Sequence, residues 1–100
     1  MALFALTYRY IDDPDAVAAH RPDHREYLDG LVGTGELVVA ARLGEPGPAG
    51  GLLVFDVPSA DRVHELADAD PFCVQGVVAE RTVQSWPVTI GADRLEPRER

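Results

Sequence analysis

"LVVAARLGEPGPAGGLLVFDV", residues 37–57, decides the fold. Two apolar runs, 37–43 and 52–57, flank the Gly/Pro-rich segment "GEPGPAGG" at 44–51. Apolar, β-branched runs bounded by such a segment read as two strands joined by a hairpin. The glycines do not make a phosphate loop, because they lack the GxxxxGK[ST] spacing and no helix N-terminus follows them. "LVVAA" and "LLVF" are apolar on both faces of the pleat. A sheet with one solvated face would alternate apolar and polar residues.

Outward from the hairpin, each side carries a helix and then a strand. Upstream, "ALFALTYRY" (2–10) suits a strand, and "DDPDA" opens a helix with Asp13 as cap and Pro14 at its first position. That helical region spans about 14–33 and ends in "GTGE". Arg21-Pro22 lies inside it, and the residue before a proline is pushed out of the α region, so a kink or restart is expected there. In the second piece His24, Tyr27, Leu28 and Leu31 share one helical face. Downstream, Ser59 caps a helix of about 59–67 with Asp61 in its first turn. "DADPFCVQG" (68–76) leads into a last strand over 77–90.

The order is βαββαβ, a ferredoxin-like α+β arrangement with a four-stranded antiparallel sheet and both helices on one face. The domain spans 1–92, and the charged, Pro-containing 93–100 reads as a disordered tail. Two helices cover one sheet face and nothing in the chain is left to cover the other. The same face of a second copy would cover it, so a homodimer through the sheet face is expected.

Composition narrows the partners. The 100 residues form one domain, which buries about 60–70% of its unfolded surface. The net charge is −8, and all nine basic side chains are arginines. Such a field repels phosphate backbones and anionic bilayers, which argues against nucleic acid and membrane as partners. A small-molecule ligand or a second copy is expected instead. One cysteine, Cys73, excludes an internal disulfide. No stretch is long enough to span a bilayer and no signal pattern opens the chain, so a cytoplasmic protein is expected.

Three side chains could do chemistry. His24 shares the buried face of the first helix, where it is either a core-edge histidine held by one hydrogen bond or a general acid/base. Asp70 precedes Pro71, a good helix-start pair, and a capping carboxylate still has a second oxygen to offer elsewhere. Cys73 lies between Phe72 and Val74 with nothing basic beside it, and reads as an inert buried thiol. No metal is expected. His20 and His24 are four apart, but the Pro22 break would take them out of register, and His64 lies far off.

"RPDHREYLDGLVGTGEL" (21–37) resembles the first-helix motif of YCII-related (YciI-like) proteins: Arg-Pro-x-His-x-x-Tyr-Leu and a glycine-ended helix. "ADPFCVQGV" (69–77) resembles their Asp-Pro-Phe segment, and "SWPV" (85–88) their closing Trp. The resemblance covers about 2–90. It implies the dimeric α+β barrel and an active-site pair formed by His24 and Asp70. It also implies lyase, isomerase or dehydrohalogenase-like chemistry on a small cyclic or enolisable molecule, with no cofactor. Tyr27, Arg9, Arg42 and Phe72 are the substrate-contact candidates. The departure from the family is "ARLGEPG" after the second strand, where Arg42 can approach the pocket. The competing expectation is a non-catalytic ligand-binding or accessory dimer, in which His24 and Asp70 only lock helix to loop. A monooxygenase or haem-degrading relative rests on fold alone.

Overall fold

The computed structural model describes residues 2–95. Its elements are β1 (Leu3–Tyr10), α1 (Pro14–Thr34), β2 (Leu37–Leu43), β3 (Gly50–Asp56), α2 (Ala60–Ala69), α3 (Pro71–Val74) and β4 (Val78–Ser85), followed by a 3-10 turn at Ala92–Leu95. The four strands form one antiparallel sheet in the order β2-β3-β1-β4. The expected order and sheet are therefore present, though the last strand stops at Ser85 rather than 90. Of the expected 93–100 tail, residues 93–95 belong to the 3-10 turn and 96–100 lie outside the described residues.

Period-two alternation on β1 sends Leu6, Tyr8 and Tyr10 into the core shared with Val17, Leu28 and Leu31 of α1, Val63 and Leu66 of α2, and Phe72 of α3. Leu53 and Phe55 of β3 join them. The opposite face carries Ala5 directly across from Val54, both buried yet outside that core. A bulge between Leu37 and Val39 then sets Val39 across from Val54, on the same face. Val39 and Leu43 stay substantially exposed there.

α1 corrects the expected break. It runs unbroken for 21 residues with Pro22 inside. Pro22 has no N–H, so the carbonyl of Ala18 loses its helical donor, at a cost of about 3 kcal/mol. The helix holds because its buried stripe, Val17, His24, Leu28 and Leu31, straddles the proline and is anchored on both sides. Both ends are also secured. The Asp13 carboxylate accepts from the Ala16 N–H at 3.1 Å, and Gly35 closes the C-terminus at φ +85°, where only glycine is unstrained. His20 and His24 are thus in helical register after all. Even so, no three His, Cys, Asp or Glu side chains among the described residues gather as metal ligands. No helix there is long and apolar enough to cross a membrane.

Candidate active site

α2 ends at Ala69 and α3 begins at Pro71, so Asp70 is the joint between them. Its extended backbone, φ −66° and ψ 128°, is the conformation an N-cap requires. The carboxylate accepts from the Phe72 N–H at 2.9 Å, as the cap reading expects. It does more than cap. His24 Nδ1 lies 2.8 Å from Oδ1 and 3.0 Å from Oδ2, and the Tyr8 hydroxyl donates to Oδ2 at 2.9 Å. Residues 46 and 62 positions apart thus meet on one carboxylate that is 1% exposed.

A carboxylate already taking an N–H and an O–H is an acceptor, so the hydrogen between it and His24 sits on Nδ1. In the neutral imidazole Nε2 then carries the lone pair. No described residue bonds Nε2, and no buried polar side-chain atom among those residues lacks a partner, so Nε2 is not sealed off, and His24 lines the adjoining cavity. The imidazole lies flat on Phe72, with ring centroids 3.8 Å apart and planes 7° apart. Phe72 in turn meets the edge of Tyr10 at 5.3 Å. Stacking on one side and the carboxylate at one edge leave the ring little freedom.

Burial pushes the Tyr8 phenol far above its ordinary range, and the Asp70 charge and the Cys73 hydrogen bond push it further. Tyr8 therefore stays protonated and donates to Asp70. Burial also raises the Tyr10 phenol, while the Arg21 and Arg42 charges pull it back.

The cavity beside His24 has a volume of about 370 Å³, within the range of small-molecule sites. It lies between α1 and β2, with Leu28, Leu37 and Leu53 as apolar walls and Arg21, Arg25 and Arg42 among its polar lining. Tyr10 and Gly51 also line it. A Cβ on Gly51 would sit 3.1 Å from the Tyr10 hydroxyl, so the absent side chain is what gives that phenol room.

The sequence-derived contacts divide. Arg42 lines the cavity, and Phe72 forms the platform under His24. Tyr27 lies elsewhere: its hydroxyl donates to the Leu66 carbonyl at 2.7 Å and ties α1 to α2. Arg9 alternates with Tyr8 and Tyr10, so it points from the opposite face, where it pairs with Glu80 at 2.9 Å. Cys73 is half-buried rather than sealed, and its neighbour Val74 is exposed. Its sulfur is near the Tyr8 hydroxyl at 3.6 Å and the Arg81 guanidinium at 3.8 Å, so a cation does approach it from β4. Sequence reasoning passes over Tyr8, Tyr10 and Arg21. The strand parity Leu6, Tyr8, Tyr10 is the available signal for the first two.

One antiparallel sheet in the order β2-β3-β1-β4, with a helix in the crossover from β1 to β2 and helices in that from β3 to β4, is the ferredoxin-like α+β arrangement. The chain belongs to the YCII-related domain family, whose model matches residues 2–87. Solved structures agree on the fold. The chain is similar to the 5-chloro-2-hydroxyhydroquinone dehydrochlorinase TftG of Burkholderia phenoliruptrix AC1100, in complex with 2,5-dihydroxybenzoquinone. That match has 22% identity, 85% of this chain and 93% of the other covered, and a TM-score of 0.75. It is similar to muconolactone isomerase at 17% identity, with both chains covered in full and a TM-score of 0.61. It is also similar to an antibiotic biosynthesis monooxygenase at 11% identity, with 89% and 99% covered and a TM-score of 0.58. Among curated proteins no significant sequence match is found.

Proposed function

We propose that the chain is a cofactor-independent acid/base enzyme acting on a small cyclic or enolisable molecule. The observation that carries the reading is a buried imidazole held by Asp70 through Nδ1, with Nε2 unbonded and the residue lining a ring-sized cavity. In this reading Nε2 takes a proton from a carbon of the bound molecule. The C–H electron pair becomes part of a new double bond or an enolate. In an isomerisation the imidazolium returns the proton at another carbon. In an elimination a leaving group departs with its bonding pair. Asp70 orients the ring and stabilises the imidazolium while the proton is held. That two structural neighbours are named as a dehydrochlorinase and an isomerase fits both branches.

The second part of the proposal is a homodimer through the open sheet face, supported by Val39 and Leu43 exposed beside the buried Ala5–Val54 pair. An accessory, non-catalytic dimer is the competing reading, supported by the capping bond that Asp70 makes whatever else it does. Proton exchange separates the two. Small cyclic ketones, lactones and hydroxylated ring compounds would be incubated with the protein in D₂O, and loss of C–H signal followed by NMR. Catalysed exchange that disappears in His24→Gln supports the enzyme. Exchange that His24→Gln leaves at full rate refutes the assigned base, and no exchange with any compound of the set favours the accessory dimer.

A further inference from the structure

Seven arginines lie among the described residues. Arg9, Arg62 and Arg81 each hold a carboxylate within 4 Å. Arg21, Arg25 and Arg42 hold none among the described residues, and all three line the cavity beside His24. The fourth without one, Arg94, is in the 3-10 turn. In a chain with 17 acidic side chains against nine arginines, leaving three guanidiniums without an ion pair around one cavity runs against the whole charge balance. Mutual repulsion among them is unfavourable, and a bound anion would relieve it.

The same lining carries an apolar part, made by Leu28, Leu37 and Leu53. Asp29 is the carboxylate on its lining. The neighbouring cleft, which shares Tyr10, Arg21 and Arg42, is walled by Asp12, Asp13 and Glu45. The acidic side chains thus lie mainly on that neighbouring cleft, and an anion is favoured on the His24 side of Arg21 and Arg42.

We infer that this cavity takes a small ring compound bearing a carboxylate, with Arg21 and Arg42 gripping the carboxylate and the apolar wall receiving the ring. A guanidinium matches carboxylate geometry, donating two parallel N–H bonds to its two oxygens. Resting on the acid/base reading, this adds a chemical reason for it. Removing a proton from a carbon conjugated to the carboxylate spreads a second negative charge onto it, and Arg21 and Arg42 stabilise that charge where it develops.

The test is binding, independent of turnover. Benzoate, benzamide and inorganic phosphate would be titrated into the protein and followed by ¹⁵N–¹H NMR shifts. Benzoate should bind at least about tenfold more tightly than benzamide, and Arg42→Gln and Arg21→Gln should each weaken it by about tenfold, the worth of a charge-assisted pair. Arg9→Gln, on the opposite face, should bind benzoate as the parent does. Equal affinity for benzamide, indifference to both cavity arginine variants, or phosphate competing as well as benzoate would each overturn the inference. His24→Gln separates the two readings. If it still binds benzoate and no compound exchanges protons in the parent protein, the anion site stands and the catalytic reading fails. If uncharged compounds exchange and benzoate does not compete, the reverse holds.

Discussion

The Asp70 carboxylate accepts from three donors, so replacing it in two ways separates what its shape does from what its charge does. Asp70→Ala removes the cap on the Phe72 N–H, for which about 1 kcal/mol is typical. It also strands the Tyr8 hydroxyl, 1% exposed as a residue, and the His24 Nδ1–H, 7% exposed. Each orphaned buried donor costs about 1–3 kcal/mol, partly offset because a buried charge disappears. A net loss of about 3 kcal/mol is expected, a large share of the roughly 5–15 kcal/mol that holds a domain of this size. Asp70→Asn keeps nearly all of this. Its carbonyl still accepts from Phe72 and His24, and its amide can donate to a Tyr8 hydroxyl turned to accept, so the loss should stay within about 1 kcal/mol. The negative charge that stabilises an imidazolium is gone, however, and proton exchange should fall by at least about a hundredfold. Urea unfolding gives the first quantity and NMR exchange the second. Equal destabilisation by Ala and Asn would show that the charge, not the bonding pattern, holds the fold. A fully active Asp70→Asn would remove Asp70 from the chemistry.

Pro22→Ala restores a donor to the Ala18 carbonyl on an exposed helix face, and should raise the urea-derived stability by about 1–3 kcal/mol; a loss would mean that the proline itself is needed there. Gly51→Ala should fold, but its Cβ, 3.1 Å from the Tyr10 hydroxyl, should displace that phenol and weaken benzoate binding, whereas Gly50→Ala would drive a Cβ into the Tyr8 carbonyl oxygen and should lower the folded yield sharply. Glu36 is held below the usual carboxylate range by hydrogen bonds from Arg62, so the stability it adds is present above the unfolded value of about 4.3 and is lost as pH falls through the folded one. Arg62→Gln should therefore flatten the acid-side slope of stability below that value, and only slightly, since the pair is part-exposed and screened by solvent; an unchanged slope in urea titrations across the acid range would dismiss the pair as a contributor. Leu43→Glu, at the exposed end of the open sheet face, should convert the proposed dimer to monomer in light scattering, and an unchanged mass would place the interface elsewhere.

Local chemistry makes much of this legible. The hairpin at 37–57, the Asp13 cap and the shared face of His24, Leu28 and Leu31 all follow from period and turn residues. Long-range pairing is less accessible. Nothing local says that Tyr8 reaches Asp70 or that Arg81 approaches Cys73, because those meetings depend on sheet order and on where α3 sits. The break expected at Pro22 is absent because the rule for the residue before a proline describes the isolated chain, and here burial on both sides of Pro22 overrides it. Arg9 and Tyr27 miss the cavity for different reasons. Parity along β1 already assigns Arg9 to the face opposite Tyr8. Tyr27 does share His24's side of α1, but α2 takes up its hydroxyl first.

Cap and catalytic partner are separated for Asp70 less by the strength of any one bond than by comparison with the other two caps of the chain. Asp13 and Ser59 start α1 and α2 with side chains at the surface, where a cap costs no desolvation. Asp70 starts a helix of four residues, yet its carboxylate is withdrawn almost completely from water. Burying that carboxylate is expensive, and a single turn of helix offers little to offset it. The Tyr8 hydroxyl and the His24 ring supply the remaining bonds, and both are themselves polar groups drawn into the core. Three hydrophobic residues of similar size would pack there at lower cost, as apolar replacements of buried ionic clusters often do. The arrangement is intelligible if the orientation of His24 Nε2 toward its cavity is what the buried cluster secures. The triple variant combining Tyr8→Phe, His24→Leu and Asp70→Leu should then be at least as stable as the parent in urea while losing all proton exchange. A triple variant clearly less stable than the parent would return Tyr8, His24 and Asp70 to a purely structural account.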